Sequence, residues 1–506
     1  MLELQNITLT LRRDGRVLLR DFSFVLGPRD RAALIGEEGN GKSTLLRYLA
    51  APEEVEAYCE AEGRVEAHGA RLGYLRQEMT PEEIAQPLRA FFTGLDMYTS
   101  PIVWELGLDP AWFDGGRPMG TLSGGERVKI RLARLLAEGA DILLLDEPTN
   151  DLDIPALRWL EDFLCRCPLP VLYVSHDETL LERTANVILH LEQVRKKTAP
   201  RCTVAAVGYE AYVRGRLAGL QKQEQVARKQ RAEHKAQMER WQQLYNKVDH
   251  QLATITRQDP GGARLLKKKM KGLKSQEKRL EKEAGDYQEI PDVEEAIDFH
   301  FDGRVSLPSG KTVCSLSLPA LEAGGTVLAR DIQIRVVGPR HVAILGANGT
   351  GKTTLLRRLY EELRDRTDIR VGYMPQNYEE RLDGGRTPIA YLAPGGDKAA
   401  VTRARACLGS LKFTAEEMER STSQLSGGQK AKLLLAGLLL EGCDVLLLDE
   451  PTRNLSPLSG PVVRRALSAY GGAILSVTHD RKFAREVCTE WWELTPEGLR
   501  AVEWED

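Results

Sequence analysis

Two stretches of this chain repeat one another closely enough to fix most of what the rest can be. Thr121–Asp153 reads TLSGGERVKIRLARLLAEGADILLLDEPTNDLD, and Gln424–Ser456 reads QLSGGQKAKLLLAGLLLEGCDVLLLDEPTRNLS. Each opens on a serine and two glycines, Ser123-Gly124-Gly125 and Ser426-Gly427-Gly428, feeding a helix start where free N–H groups and the helix dipole favour a phosphate. Val128–Leu136 then carries apolar residues at helical spacing with Arg and Lys between them. Ile142–Leu145 is an apolar run too short for a helix and suited to a strand buried on both faces. Two acids close each run: Asp146-Glu147 and Asp449-Glu450. An aspartate at such a strand end can hold the water shell of Mg²⁺, and the glutamate after it can polarise an attacking water. A lone Asp-Glu is usually a solvated strand end; the recurrence argues against that reading here.

A second pair of motifs precedes these. Arg31–Ile35 reads as a buried strand leading into Gly36-Glu-Glu-Gly39-Asn40-Gly41-Lys42-Ser43-Thr44, and a helix is expected to follow. His341–Leu345 leads likewise into Gly346-Ala-Asn348-Gly349-Thr350-Gly351-Lys352-Thr353-Thr354. The spacing G-x-x-x-x-G-K-[ST] between strand and helix is a phosphate-binding loop. Its glycines let backbone N–H groups approach the phosphates, its lysine reaches the outer oxygens, and its Ser or Thr hydroxyl ligates Mg²⁺. Glu37 and Glu38 place two carboxylates on the first loop, where the second has Ala347 and Asn348. They are expected to weaken nucleotide affinity there.

A phosphate loop, then LSGG, then LLLDEPT, all twice, resembles the ATP-binding cassette ATPases. Two such cassettes with DEPTNDLD and a charged helical linker resemble the ABC-F branch, which contains translation factors and antibiotic-resistance ribosome protectors. The resemblance covers nearly the whole chain. It assigns Gln77 and Gln376, each in a Gly-Tyr-x-x-Gln context, to loops that contact Mg²⁺ and the attacking water. It assigns His176 and His479, each at the end of an apolar strand, to a switch that senses the γ-phosphate. Ser123 to Ser426, Glu147 to Glu450 and His176 to His479 are each shifted by 303 positions, as a duplication without net insertion requires. The second cassette departs from the family in Arg453-Asn454-Leu455-Ser456-Pro457-Leu458-Ser459, where N-x-L-D is usual. That variant resembles a sub-branch that includes ribosome protectors. The aromatic residue that often stacks on adenine is not obvious before either loop; Arg12-Arg13 occupy the region in the first. The arm that some relatives insert between Gln77 and Ser123 looks absent or vestigial.

Between the cassettes the chemistry changes. Residues 211–284 hold nineteen Lys/Arg against eight Asp/Glu, in a chain whose formal net charge is −3. Met238, Trp241, Leu244, Val248, Leu252 and Ile255 recur at steps of three and four, as do Leu266, Met270, Leu273 and Leu280 after a break at Asp259–Gly262. This predicts an antiparallel helical hairpin with its tip near Thr256–Ala263, and the polar Gln221–Gln237 stretch, with almost no apolar seam, is expected to bend, or to lie across a cassette or RNA instead of pairing. A solvated spacer would roughly balance Lys and Glu. The excess here favours a polyanion, with Arg257, Arg264, Lys267, Lys268, Lys269, Lys271 and Lys274 as candidate phosphate contacts.

The expected architecture is α/β: a first cassette over 1–207, the hairpin over 208–288 and a second cassette over 289–506. No apolar run reaches the 18 residues of a membrane span, the N-terminus lacks a signal peptide's apolar core, and eight scattered cysteines suit a reducing cytoplasm. The resemblance implies a monomer whose cassettes pair head-to-tail around two ATP–Mg²⁺, the phosphate loop of one facing the LSGG of the other. It also implies a 70S-type ribosome as partner: the protein would enter the E site, its hairpin tip reaching toward the P-site tRNA and the peptidyl-transferase centre, until hydrolysis releases it. A transporter's fused ATPase pair would share the cassettes but needs no basic hairpin. A chromosome or repair ATPase would interrupt a cassette with its coiled coil, and both cassettes here are intact.

Overall fold

A computed structural model describes residues 1–92, 101–194, 199–254, 260–285 and 305–504. The chain divides into two units, Met1–Tyr212 together with Ile297–Asp506, and Val213–Ala296. Both cassettes thus lie in one unit.

Each cassette is built on a six-stranded sheet of identical topology. In the first, the spatial order is Leu72–Leu75, Ile142–Asp146, Val171–Val174, Arg31–Ile35, Val187–Val194 and Ala199–Ala205; in the second it is Val371–Met374, Val445–Asp449, Ala473–Val477, His341–Leu345, Glu490–Thr495 and Gly498–Val502. Five strands are parallel in each, and the last pairs antiparallel. Every residue of Ile142–Asp146 and of Val445–Asp449 is buried, as continuous apolar runs covered on both faces require. In a parallel sheet crossed by helices, ligands gather at the carboxyl ends of the strands. Asp146, Glu147, Asp449 and Glu450 stand at such ends.

Small antiparallel sheets cover one side: Val17–Leu26, Leu2–Leu11 and Cys59–Glu66 in the first cassette, and Thr312–Ala323 with Thr326–Val337 in the second. Their apolar faces join the helices after the phosphate loops, with Leu4, Leu9, Phe24, Leu45 and Leu46 in one core and Val313, Ile332, Leu355 and Leu356 in the other. A helical subdomain around Leu88, Phe91, Val103, Leu106 and Phe113 packs on Ile130 of the LSGG helix. Its residues 93–100, part of the stretch between Gln77 and Ser123 in which some relatives insert an arm, are outside the described residues.

The second unit contains two helices, Tyr209–Thr254 and Pro260–Gly285. They span about 69 and about 39 Å at 1.5 Å per residue. The indole of Trp241 donates to the carbonyl of Leu273 at 2.9 Å, which locks one against the other. Three expectations are corrected. The second helix begins at Pro260 and runs through Gly261 and Gly262, because proline is pre-organised for a first helical turn and loses no needed donor there. Gln221–Gln237 lies within one unbroken helix. Leu244 is exposed, and Tyr245 beside Trp241 takes its place, since a 3.6-residue repeat places 241, 245, 248 and 252 on one side. Ile255, Arg257 and the first half of the expected tip, 256–259, lie outside the described residues. Among the described residues, no helix is long and apolar enough to cross a membrane.

Candidate active site

Both phosphate loops close on their own lysines. Lys42 Nζ donates to the carbonyls of Gly36 and Glu37 at 2.7 and 3.0 Å, and Lys352 Nζ to those of Gly346 and Ala347 at 2.9 and 2.8 Å. Gly36 sits at φ 140°, and a Cβ there would lie 2.1 Å from the Leu191 carbonyl oxygen, so only glycine allows the strand to turn into the loop. Asn40 fastens the same turn by donating to Leu191 at 3.0 Å. Gly41 and Gly351, both left-handed, start the helices Lys42–Ala50 and Lys352–Leu363.

The acids stand over these loops. Ser43 Oγ donates to Asp146 Oδ1 at 2.8 Å, and the Tyr74 hydroxyl to Asp146 Oδ2 at 3.3 Å. Asp449 is fully buried with both oxygens lacking a hydrogen-bond partner, and burial pushes its carboxyl up to about 6. Such oxygens beside a hydroxyl and a lysine fit a divalent cation, whose positive charge would stabilise the buried carboxylate in its ionised form. Glu147 and Glu450 have φ of 48° and 50°, a strained conformation that swings each side chain off the strand toward its histidine.

The two glutamate–histidine pairs differ. His176 Nε2 lies 2.9 Å from Glu147 Oε1; burial pushes that carboxyl up, but His176 and Lys42 together outweigh it and leave Glu147 below its usual range. In the second cassette the side chains are 3.8 Å apart, and Glu450 Oε2 accepts the His479 backbone N–H at 3.3 Å. There burial prevails, raising Glu450 to about 8 and, with the charge of Lys352, lowering His479 to about 4.

The LSGG serines have a structural task first. Ser123 Oγ accepts from Glu126 N while Glu126 accepts from Ser123 N, and Ser426 and Gln429 do the same, which caps the helices Gly124–Ala137 and Gly427–Glu441. Ser123 and Gly124 line a cavity of about 830 Å³ with Asn348, Gly349, Gly351, Lys352, Thr353, Thr354, Gln376, Asp449, Glu450 and His479. The first phosphate loop faces two cavities. One of about 340 Å³ holds Gly39, Gly41, Lys42, Ser43, Thr44, Gln77, Glu147 and His176. The other, about 820 Å³, joins Glu37, Glu38 and Asn40 to Ser426 and Gly428. Gly125, Gly427 and Thr350 are not among the lining residues of these cavities: a Cβ on Gly125 would meet Ala156 and one on Gly427 would meet Glu38, and Thr350 Oγ1 donates to Ala347.

Several contacts between cassettes were invisible to sequence reasoning. Asn348 Nδ2 donates to the Asp151 carbonyl at 2.6 Å, and Arg453 pairs with Asp151 at 2.8 Å. Glu38 Oε2 accepts the Gly428 N–H at 2.8 Å, and Lys432 pairs with Glu37 at 2.8 Å. Glu37 is half-buried and Glu38 exposed, and both carboxylates reach the other cassette. Farther back, Arg464 binds Glu178, Arg481 binds Glu161, and Lys482 binds Glu178 and Glu182. The Arg453 variant could have signalled the Asp151 contact; nothing local announces the others.

The family described as ABC transporter matches residues 19–150 and 329–453. The chain is 30% identical over 540 residues to the tylosin resistance ATP-binding protein TlrC of Streptomyces fradiae, the match covering 94% of each. It belongs to the ABC-F type of ATP-binding cassette proteins. ATP-binding cassette sub-family F member 3 of Homo sapiens is 28% identical over 541 residues, or 96% of this chain and 70% of that protein. Among solved structures, the archaeal ribosome recycling factor aABCE1, in complex with the ribosomal stalk protein aP1, has a similar fold: TM-score 0.58 at 18% identity, over 98% of this chain and 89% of that one. As a member of this class the chain is an ATP hydrolase that uses Mg²⁺, and it pairs two cassettes with a helical insertion between them.

Proposed function

We propose that this ABC-F protein hydrolyses ATP at two composite sites and uses the cycle to bind and leave a ribosome. At one site Lys42, Ser43, Gln77, Asp146, Glu147 and His176 act with Ser426, Gly427 and Gly428. At the other Lys352, Thr353, Gln376, Asp449, Glu450 and His479 act with Ser123, Gly124 and Gly125. Ser43 with Asp146, and Thr353 with Asp449, would hold Mg²⁺, which when bound neutralises charge developing on the phosphates. Glu147 and Glu450 orient and activate the water. The glutamines reach toward the metal and the water, and the histidines toward the γ-phosphate.

The observation that carries this reading is the cavity lined by Lys352 and Glu450 from one cassette and by Ser123 and Gly124 from the other. ATP bound there would bridge the cassettes, and its hydrolysis would remove the bridge. For the ribosome the support is the hairpin: Arg264, Lys267, Lys268, Lys269, Lys271 and Lys274 are all exposed on one helix. Phosphates of rRNA or P-site tRNA are the matching surface. By this reading the protein works in the cytoplasm as a monomer, as a translation factor or as a protector of ribosomes against an antibiotic; TlrC is by its name a tylosin resistance protein.

Cosedimentation with ribosomes, membrane vesicles or duplex DNA in the presence of a non-hydrolysable ATP analogue tests the assignment. Nucleotide-dependent pelleting with ribosomes alone is the expected result. Pelleting with vesicles would favour a transporter ATPase, and with DNA a repair ATPase.

A further inference from the structure

The two phosphate loops meet the opposite cassette in different ways, and one residue accounts for the difference. Asn348 and Glu38 occupy the same loop position. The amide of Asn348 donates to the Asp151 carbonyl at 2.6 Å. A carboxylate has no hydrogen to donate, so Glu38 cannot make that bond with Asn454, the counterpart of Asp151. Instead its Oε2 accepts from the N–H of Gly428 at 2.8 Å, in the first turn of the helix Gly427–Glu441. That helix start combines unsatisfied N–H groups with the positive end of the dipole, the arrangement that receives a phosphate oxygen. Glu38 Oε2 also lies 3.0 Å from where a Cβ on Gly427 would be, so the carboxylate sits directly against both glycines. A second ionic contact, Glu37 with the buried Lys432 one helical turn farther along, holds the loop in this place.

We propose that Glu38 is a built-in competitor for the γ-phosphate, so that the first site favours a nucleoside diphosphate over a triphosphate and takes up ATP less readily than the second. A γ-phosphate entering over Lys42 would need the Gly428 N–H that Glu38 holds, and would meet its charge. The β-phosphate, held by Lys42 and the loop amides, does not compete for that donor. In the second site Asn348 leaves the corresponding helix start to the ligand. This inference rests on the proposed two-site ATPase, and it adds a division of labour between the sites.

The test uses the full chain with Lys352→Ala, which removes the phosphate-holding cation of the second site. Titration calorimetry with Mg²⁺ compares ADP with a non-hydrolysable triphosphate. The expected parent result is ADP binding at least as tightly as the triphosphate. Glu38→Asn should raise triphosphate affinity about tenfold or more, the worth of a charge-assisted hydrogen bond, while ADP changes by less than about threefold. Glu37→Gln, the same charge change one residue away, should leave the ratio of the two within about threefold. Equal gains for ADP and triphosphate, or no change, would overturn the proposal.

A reciprocal variant gives a reading that does not depend on the first site. Asn348→Glu in a Lys42→Ala background should cost the second site about tenfold in triphosphate over diphosphate preference, and an unchanged preference would overturn the proposal as well. Calorimetry needs no ribosome. Failure here in a protein that still pellets with ribosomes removes the Glu38 role alone, whereas loss of ribosome binding with the ADP preference intact removes only the ribosomal reading.

Discussion

Arg464 of the second cassette donates to Glu178 of the first at 2.6 Å, and both side chains are buried, at 3% and 8% exposure. Glu486 takes a second edge of the same guanidinium at 2.7 Å. A buried charge that loses its partner keeps its desolvation cost. Arg464→Met should therefore destabilise the protein by about 3 to 5 kcal/mol, whereas Arg464→Met with Glu178→Leu should recover much of that loss. Urea denaturation of the two single variants and the double variant measures the coupling. Additive effects would mean that the pair contributes no coupling between cassettes.

The same interface predicts a pH dependence. Asp177 caps the helix Glu178–Thr184 by accepting from Leu180 N at 2.8 Å. Burial raises its carboxyl to about 6; Arg481 works against that rise, and Asp480 and Glu161 add to it. A carboxyl raised in the fold favours the folded state when protonated, and that contribution is lost as pH rises from its unfolded value through about 6. Asp177→Asn keeps the cap and removes the titration. Relative to the parent, it should gain stability between pH 4 and pH 7, on the order of 1 to 3 kcal/mol, and level off above. A stability difference that stays flat across this range would show that Asp177 does not titrate in it.

The hairpin prediction is electrostatic. Changing Lys267, Lys268, Lys269 and Lys271 to Gln should weaken ribosome affinity and flatten its dependence on salt, by roughly 0.7–0.9 in log–log slope per lost phosphate contact. ATP turnover without ribosomes should be unchanged, because each residue assigned to hydrolysis lies in the cassettes. An intact salt slope would leave the hairpin a spacer.

What the sequence made legible is local. The apolar run Ile142–Leu145 is typical of a strand covered on both faces, and the glycine spacing around Lys42 and Lys352 suits a strand that turns into a helix around an anion. The hairpin's existence followed from periodicity, but its details did not. Asp259–Gly262 reads as a break, yet Pro260 starts a helix, and Leu244 falls on the seam's spacing, yet Tyr245 occupies it. The cassette interface was out of reach for a different reason. Glu37 meets Lys432 across 395 residues and Glu178 meets Arg464 across 286, and no spacing rule connects partners so distant. In the sequence the acidic pair is unusual and suggests a burden on its own loop; in the fold both carboxylates meet the other cassette.

The central claim is that ATP hydrolysis by Glu147 and Glu450 releases the protein from a ribosome. The most direct measurement is ribosome cosedimentation, with ATP, of the protein carrying Glu147→Gln and Glu450→Gln, read beside its ATP turnover. Loss of turnover with retained ATP binding, and a protein that stays on ribosomes where the parent leaves, is the predicted result. Parent-level turnover in the double variant, or an inactive double variant that pellets with ribosomes no better with ATP than without, would contradict it.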